Sequence, residues 1–352
     1  MLAVVGSGPS ALYTVKYVLR RLPHITVNIF EKLTEPFGLV RFGVAPDHPE
    51  VKNVAHEFTD MFTQHPNINV HLNQTITDIQ PLLASHKAVL VATGAQGSKN
   101  FPVNFRPHQS ARDFVLWYNG HPEGVRPEIS PEKAGNISVV GMGNVALDVA
   151  RLLSKNREAL EILRAHGLSE SAFQWLSARQ TQTDKKTVKI IARRGYPEAA
   201  FTNKEFRELL HVDGALAVVD PADLRMDLAS LAKAVAKDRP KKRGLEILEQ
   251  MMKNFDNVNS TENIIQLEFN QEQVFQQPCD LLISSVGFQV QPISGLPMDA
   301  ETGAVAHVKG RVTGHPGVYV VGWAKRGPRG NIASNIPDAT ETAEAIVNDL
   351  AE

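Results

Sequence analysis

Two stretches decide the fold: Leu2-Ala3-Val4-Val5-Gly6-Ser7-Gly8-Pro9-Ser10-Ala11 and Ile137-Ser138-Val139-Val140-Gly141-Met142-Gly143-Asn144-Val145-Ala146. Each is a short apolar, β-branched run, then a GxGxxA turn, then a helical pattern. That order is the dinucleotide-binding fingerprint. The first glycine permits the tight turn, the second lets the backbone approach a pyrophosphate, and the alanine allows close helix–strand packing. The helix that follows directs its N-terminal N–H groups and its dipole at the phosphates. Two such units point to two nucleotide sites of different character.

The strands that follow distinguish them. After the first turn, a strand ends in Phe30-Glu31, 25 positions beyond Gly6. An acid there is placed to accept hydrogen bonds from ribose hydroxyls. After the second, the strand Val188–Ala192 ends in Arg193-Arg194, and two guanidiniums suit the 2′-phosphate of NADP. A tightly held flavin in one site and a visiting nicotinamide in the other fits this contrast. Val91-Ala92-Thr93-Gly94-Ala95 closes a strand with a glycine turn, as a crossing between two such domains would.

Working outward, short strands alternate with longer amphipathic segments, the pattern of parallel α/β units. Further strands are expected at Thr26–Phe30, Asn69–Leu72, Ala88–Ala92, Ile264–Phe269, Leu281–Ser284 and Val318–Val321. Helices are expected at Ser10–Leu22, Val51–Gln64, Asn144–Lys155, Asn203–His211, Leu228–Lys237, Leu245–Phe255 and Ala339–Leu350, with Asp148 in the first turn of its helix. The polar stretch Arg157–Lys186 shows little pattern and reads as an insertion. A length of 352 residues suits about two domains. The fold class is therefore α/β with two Rossmann-like dinucleotide-binding domains.

Composition narrows the function. With 37 Lys+Arg against 38 Asp+Glu, the net charge of −1 disfavours a general nucleic-acid binder. The single cysteine, Cys279, excludes an internal disulfide, a redox cysteine pair, a four-cysteine iron–sulfur cluster and a cysteine zinc site. A flavin disulfide reductase, which shares both nucleotide folds, is thereby disfavoured, as is an amidotransferase reductase subunit with cluster-binding cysteines. His56-Glu57 lacks the second histidine of HExxH, and neither GxSxG nor GxxxxGK[ST] occurs, so no metal or hydrolase centre is expected. No 20-residue apolar run and no signal-like start are visible, so a soluble protein of a reducing compartment is expected.

Further motifs make the reading specific. GLVRFGVAPDHPEVK (Gly38 to Lys52), FVLWYNGHP (Phe114–Pro122), GMGNVALDVAR (Gly141–Arg151), RRGYPEAAFTNKEFREL (Arg193–Leu209) and VVGWAKRGPRGNI (Val320 to Ile332) occur in order. Together with GSGPSA they resemble the adrenodoxin reductase family of NADPH–ferredoxin reductases, over almost the whole chain. The resemblance implies non-covalent FAD, NADPH, and delivery of electrons to an acidic [2Fe-2S] ferredoxin. It also implies a discontinuous FAD domain, 1–105 and 290–352, with the NADP domain, 106–289, inserted.

Residue by residue, the resemblance implies FAD contacts at Gly8, Ser10, Ala11, Glu31, Leu39, Trp323, Gly330 and Ile332, beside the turn glycine Gly6. For NADP it implies Asn144, Val145, Arg193, Arg194 and Glu205, beside Gly141 and Gly143, with Trp323 and Gly330 near the nicotinamide. His48, in the proline-fenced Pro46-Asp47-His48-Pro49, and Glu208 match a pair that assists hydride or proton handling. The C-terminal helix, expected to begin near Pro337, would aim its positive end at the flavin.

The run Lys237 to Arg243, KDRPKKR, reads as charge preceding a helix, and Arg239 and Arg243 match the docking arginines of the family. Departures are Arg329 and Asn331, where the family has a small residue and Val, and a shortened stretch between about Asn257 and Pro278. These keep a flavin-binding relic, or another pyridine-nucleotide flavin reductase without a ferredoxin partner, as the alternative. The location implied is a bacterial cytoplasm or, as a mature form, a mitochondrial matrix.

Overall fold

The computed structural model describes residues 1–101, 107–181, 185–258, 263–272, 278–291, 293–330 and 332–351. Asn331, the 105/106 boundary and part of 257–278 lie outside them. The chain forms two compact units. One comprises Met1–Val44, His48–Lys99 and Gly287–Glu352, the other Ala45–Asp47 and Asn100–Val286.

The first unit is built on a seven-stranded sheet in the order His307–Val308, Arg311–Val312, Val318–Val320, Ala88–Val91, Leu2–Val5, Val27–Phe30, Ile68–His71. The last five strands are parallel, and the first two form an antiparallel edge. Leu2 and Val4 join one apolar cluster while Ala3 and Val5 join another, so the central strand is covered on both faces. Burying each such aliphatic side chain contributes about 2 kcal/mol. The helix Pro9–Arg21 packs along the C-terminal helix Asn335–Ala351. An antiparallel pair, Gly97–Ser98 with Phe288–Gln289, lies at the chain's two crossings out of this unit.

The second unit holds a wholly parallel six-stranded sheet, ordered His108–Ser110, Leu281–Ser284, Asn136–Val140, Lys186–Ile191, Asn263–Glu268, Leu216–Val219. In both sheets the glycine-turn strand sits where the strand order reverses. The carboxyl edge there opens into the crevice used for ligands in doubly wound folds.

Several expectations need correction. Arg157–Lys186 is not a patternless insertion, because it forms two helices, Arg157–Ala165 and Glu170–Gln180, before the strand Lys186–Ile191. Charge hid their period. Arg179, fully buried, donates to the carbonyls of Ala134, Leu153 and Gly135 at 2.7, 2.7 and 3.1 Å, and burial lowers its pKa to about 10. The helix expected over Val51–Gln64 is broken into Pro49–Lys52 and Val54–Gln64, with i to i+3 bonds around Asn53. Asp148 lies beyond the first turn of Asn144–Ser154, and the C-terminal helix starts at Asn335. The helix Arg239–Phe255 begins six residues earlier than expected, taking the basic run into its first turns. No helix among the described residues is long and apolar enough to cross a membrane.

Candidate functional site

In the first unit the strand Leu2–Val5 turns at Gly6, whose φ is +98°. A Cβ there would lie 2.6 Å from the carbonyl oxygen of Ala92, so only glycine lets the two strand ends approach. Gly8 differs. A Cβ on it would meet nothing within 4 Å, and it begins the helix with no side-chain cap. Five other helices are capped by Ser110, Asn156, Ser169, Asp227 and Asp238, while those entered through Gly38, His48, Asn53, Ile79 and Thr202 also lack a side-chain cap. The helix thus begins at an unobstructed, uncapped Gly8, the kind of cradle a pyrophosphate requires.

Glu31 departs from the simple ribose expectation. It is buried, and its Oε2 accepts from the Ser7 N–H at 3.0 Å and the Ser7 hydroxyl at 2.6 Å, while Oε1 accepts from the Leu33 N–H at 3.0 Å. A carboxylate has about four acceptor positions, so it holds the turn with capacity left for a sugar hydroxyl. Phe37, at φ +85°, donates its N–H to the Ser7 carbonyl, and a Cβ on Gly38 would lie 3.3 Å from Gly8 Cα. The short helix Leu39–Phe42 follows, which brings Leu39 next to the turn.

The C-terminal motif closes on the same place. A Cβ on Gly322 would lie 2.3 Å from the Ser10 hydroxyl, so this backbone rests on the fingerprint helix. Trp323 is half-buried rather than core, packs against Phe288 at 5.3 Å between ring centroids, and donates Nε1–H to the Arg329 carbonyl. Gly330 is exposed at φ +83°, and Ile332 packs on the apolar core.

A buried charge cluster unnoticed in the sequence sets this loop. Asp338 accepts the Gly322 N–H at 2.7 Å and pairs with Lys325 at 2.8 Å and Arg326 at 3.1 Å. Lys325 also reaches Glu341 and Thr342. The acids at 338 and 341 on one helix face, after two adjacent basic residues, were the available signal.

In the second unit Gly141, at φ +132°, would place a Cβ 2.1 Å from the Ser285 carbonyl oxygen. Gly143, like Gly8, meets nothing within 4 Å and starts an uncapped helix. Asn144 accepts the Thr202 N–H at 2.8 Å, which ties the turn to the segment carrying Glu205, and Val145 is half-buried beside it. Arg193 and Arg194 are exposed at the end of Lys186–Ile191, with no protein hydrogen-bond partner for either guanidinium among the described residues. One carboxylate oxygen of Glu205 is buried without a hydrogen-bond partner. An open glycine cradle, two uncommitted cations and an orphaned acceptor fit an NADP-type ligand.

His48 and Glu208 belong to different units. His48 is buried, at 8% exposure, and leads into the short helix Pro49–Lys52, so the proline-fenced loop is packed after all. Glu208 ends the helix Asn203–Glu208 and pairs with the buried Arg151 at 3.2 Å. Of the basic run, Lys237, Arg239, Lys242 and Arg243 are exposed. Lys241 instead turns inward over the rings of Tyr196 and Phe201, donating to the Ala199 carbonyl.

Two sheets, one wholly and one largely parallel, each with an uncapped glycine turn at its switch point, define a two-nucleotide fold. The family model described as pyridine nucleotide-disulphide oxidoreductase matches residues 1–343. The chain is 35% identical over 401 aligned positions to the mitochondrial NADPH:adrenodoxin oxidoreductase of Bos taurus, covering 99% of this chain and 78% of that one. It is 33% identical to NADPH-ferredoxin reductase FprA of Mycobacterium tuberculosis, covering 99% and 84%. A solved FprA structure superposes with a TM-score of 0.85 at 31% identity, covering 99% and 84%, and FprA is also known in complex with NADPH. The chain belongs to the pyridine nucleotide-disulphide oxidoreductase family, in its adrenodoxin reductase branch.

Proposed function

We infer that this chain is an NADPH-dependent flavoprotein ferredoxin reductase, with FAD in the first unit and NADPH in the second. The observation that carries the reading is the pairing of two open, uncapped glycine turns with opposite partners, Glu31 beside one and Arg193 with Arg194 beside the other. The one sulfhydryl in the chain removes the dithiol alternative within the same family. Bound FAD supplies the conversion a nicotinamide lacks, taking two electrons together and giving them up singly.

The protein's part is position and charge. Gly8, Ser10 and Ala11 receive the FAD pyrophosphate, with Glu31, Leu39, Trp323, Gly330 and Ile332 around the rest of the cofactor. Gly143, Asn144 and Val145 receive the NADPH pyrophosphate, Arg193 and Arg194 select its 2′-phosphate, and Glu205 offers its unpaired oxygen. Trp323, half-buried against Phe288, would help to exclude water from the ring system. His48, through its imidazole nitrogens, and Glu208 are the proposed proton-handling pair.

The acceptor is an acidic ferredoxin, proposed to be of the [2Fe-2S] type, docking on Arg239 and Arg243. Cations in the first turns of Arg239–Phe255 oppose the helix dipole, which a docked acidic surface would relieve. The compartment proposed is a bacterial cytoplasm or a mitochondrial matrix, since one relative is bacterial and the other mitochondrial.

The test is the visible spectrum of the purified protein during anaerobic NADPH titration. Flavin bands that bleach support the reading. A protein that stays colourless with added FAD, or a yellow one that NADPH cannot bleach, overturns it.

A further inference from the structure

Three carboxylates converge on Arg151, whose side chain is 3% exposed. Asp47 receives a two-point contact, Nε to Oδ2 at 2.6 Å and Nη2 to Oδ1 at 3.1 Å. Asp148 accepts from Nη2 at 2.8 Å, and Glu208 Oε2 lies 3.2 Å from Nη1. Lys155 reaches Asp47 at 3.4 Å, and Lys204 lies 4.0 Å from Glu208. Burial alone lowers the pKa of this guanidinium, and Asp47, Asp148 and Glu208 more than reverse it. The fully buried phenol of Tyr118 borders the cluster. Burial first, then Asp148 and Asp47, push its pKa well up.

The arrangement matters because of where Asp47 stands in the chain. Ala45–Asp47 belongs to the second unit, while Val44 before it and His48 after it belong to the first. Arg151 therefore grips the residue covalently joined to His48, and the same guanidinium pairs with Glu208. Buried ion pairs of this kind are weak contributors to net stability, but the planar fork fixes geometry in a way a lysine ammonium does not.

We propose that Arg151 is a positioning residue of the NADPH-to-flavin reaction, holding Asp47 and the carboxylate of Glu208 in fixed places within the second unit. The proposal rests on the ferredoxin reductase reading above. Arg151 touches neither nucleotide in this role and acts through Asp47 and Glu208.

The test uses the flavin-loaded enzyme with NADPH and ferricyanide, comparing Arg151→Lys, Asp47→Asn, Glu208→Gln and the double variant Asp47→Asn with Glu208→Gln. Flavin content, melting temperature, kcat, KM for NADPH, the pH profile of kcat and hydrogen exchange of the 45–52 segment are measured. The expected result for Asp47→Asn is a kcat loss on the order of 10- to 100-fold from misplacement, with KM little changed. Exchange through 45–52 should quicken, and the pH profile should shift as Asp148, Glu208, Lys155, Lys204 and Tyr118 readjust around Arg151 and Asp47. Arg151→Lys should retain part of the rate. The double variant should lose less than the product of the single losses, because both act through one guanidinium.

An Asp47→Asn enzyme with wild-type kcat, pH profile and exchange overturns the proposal. So does an Asp47→Asn chain that does not fold or load flavin, which would make the contact purely structural. Bleaching of the wild type by NADPH with no change in the variants overturns this proposal alone. A wild type that NADPH cannot bleach overturns the underlying reading and the proposal with it.

Discussion

The hydroxyl of Ser7 and the carboxylate of Glu31 lie 2.6 Å apart, and the Ser7 N–H reaches the same oxygen at 3.0 Å. The acid at the end of the second strand is thus part of the glycine turn's own architecture before any sugar reaches it. Hydrogen bonds to a charged acceptor contribute about 1.5–3 kcal/mol. Ser7→Ala should therefore lower the stability of the flavin-free protein by about 1–2 kcal/mol as well as weaken FAD binding several-fold. Urea unfolding of the apoprotein and a spectral FAD titration check both. A loss confined to FAD affinity would show that Glu31 serves the ribose alone.

The two glycines of each turn should fail in different ways. Gly141→Ala forces a Cβ to 2.1 Å from the Ser285 carbonyl at positive φ, and strain plus overpacking should cost roughly 2–5 kcal/mol. Gly143→Ala meets no protein atom within 4 Å and should leave the unfolding midpoint nearly unchanged while raising the dissociation constant for NADPH. Denaturation and ligand titration of both variants separate fold from site. Equal losses of stability would contradict the open cradle.

Exposed Arg193 and Arg194 are the residues proposed to set the coenzyme preference. Replacing both by Ala should raise KM for NADPH by about 10- to 100-fold, the value of one to two charge-assisted contacts, and leave KM for NADH almost unmoved. Parallel steady-state kinetics with the two coenzymes decide it. A similar rise for both would remove the 2′-phosphate assignment.

Arg239→Glu with Arg243→Glu should weaken ferredoxin reduction and flatten its dependence on salt, with dye reduction intact. The same change places acids in the first turns of a helix and should stabilise it by a few tenths to 1 kcal/mol per site, at low salt. A melting temperature that rises while ferredoxin coupling falls is the expected signature. Loss of dye reduction would assign these arginines to folding.

Asp349 is one source of acid lability in the first unit. Asp349 pairs with Arg311 at 2.6 and 2.8 Å and accepts the Tyr319 hydroxyl at 2.8 Å. The hydrogen bond to Arg311 leads in holding its pKa below the ordinary carboxylate value. A depressed acid contributes stability above its unfolded pKa, near 4, and loses it as pH falls through the folded value. Asp349→Asn should lower the melting temperature at pH 7 and lessen the further fall below about pH 4. An unchanged acid limb would place the lability elsewhere.

The sequence was most readable where local chemistry has one use. Leu2–Val5 and Leu281–Ser284 are bounded as the apolar runs implied, and both glycine turns sit at switch points. It was least readable where charge is buried. Arg179 in Glu170–Gln180 concealed a packed helix face, and Lys241 in the basic run turns under two rings, because burial of a cation depends on acceptors far away in the chain. Glu31 stood out as a candidate ribose contact, but its bond to Ser7 was not legible. Arg151 and Asp338 were passed over, since their partners lie 104 residues away in one case and include a backbone N–H in the other.

The three-residue stay of Ala45–Asp47 in the second unit has a practical corollary for dissecting the molecule. A gene fragment for 100–286 would encode the whole six-stranded sheet yet omit Asp47, the carboxylate with the two-point grip on Arg151. Its guanidinium would remain enclosed beside Asp148 and Glu208 but without its two-point partner, so the fragment should be less stable than the same unit in the whole chain. Excision of the second unit therefore needs a second chain piece, or a substitute acid grafted near the new amino terminus.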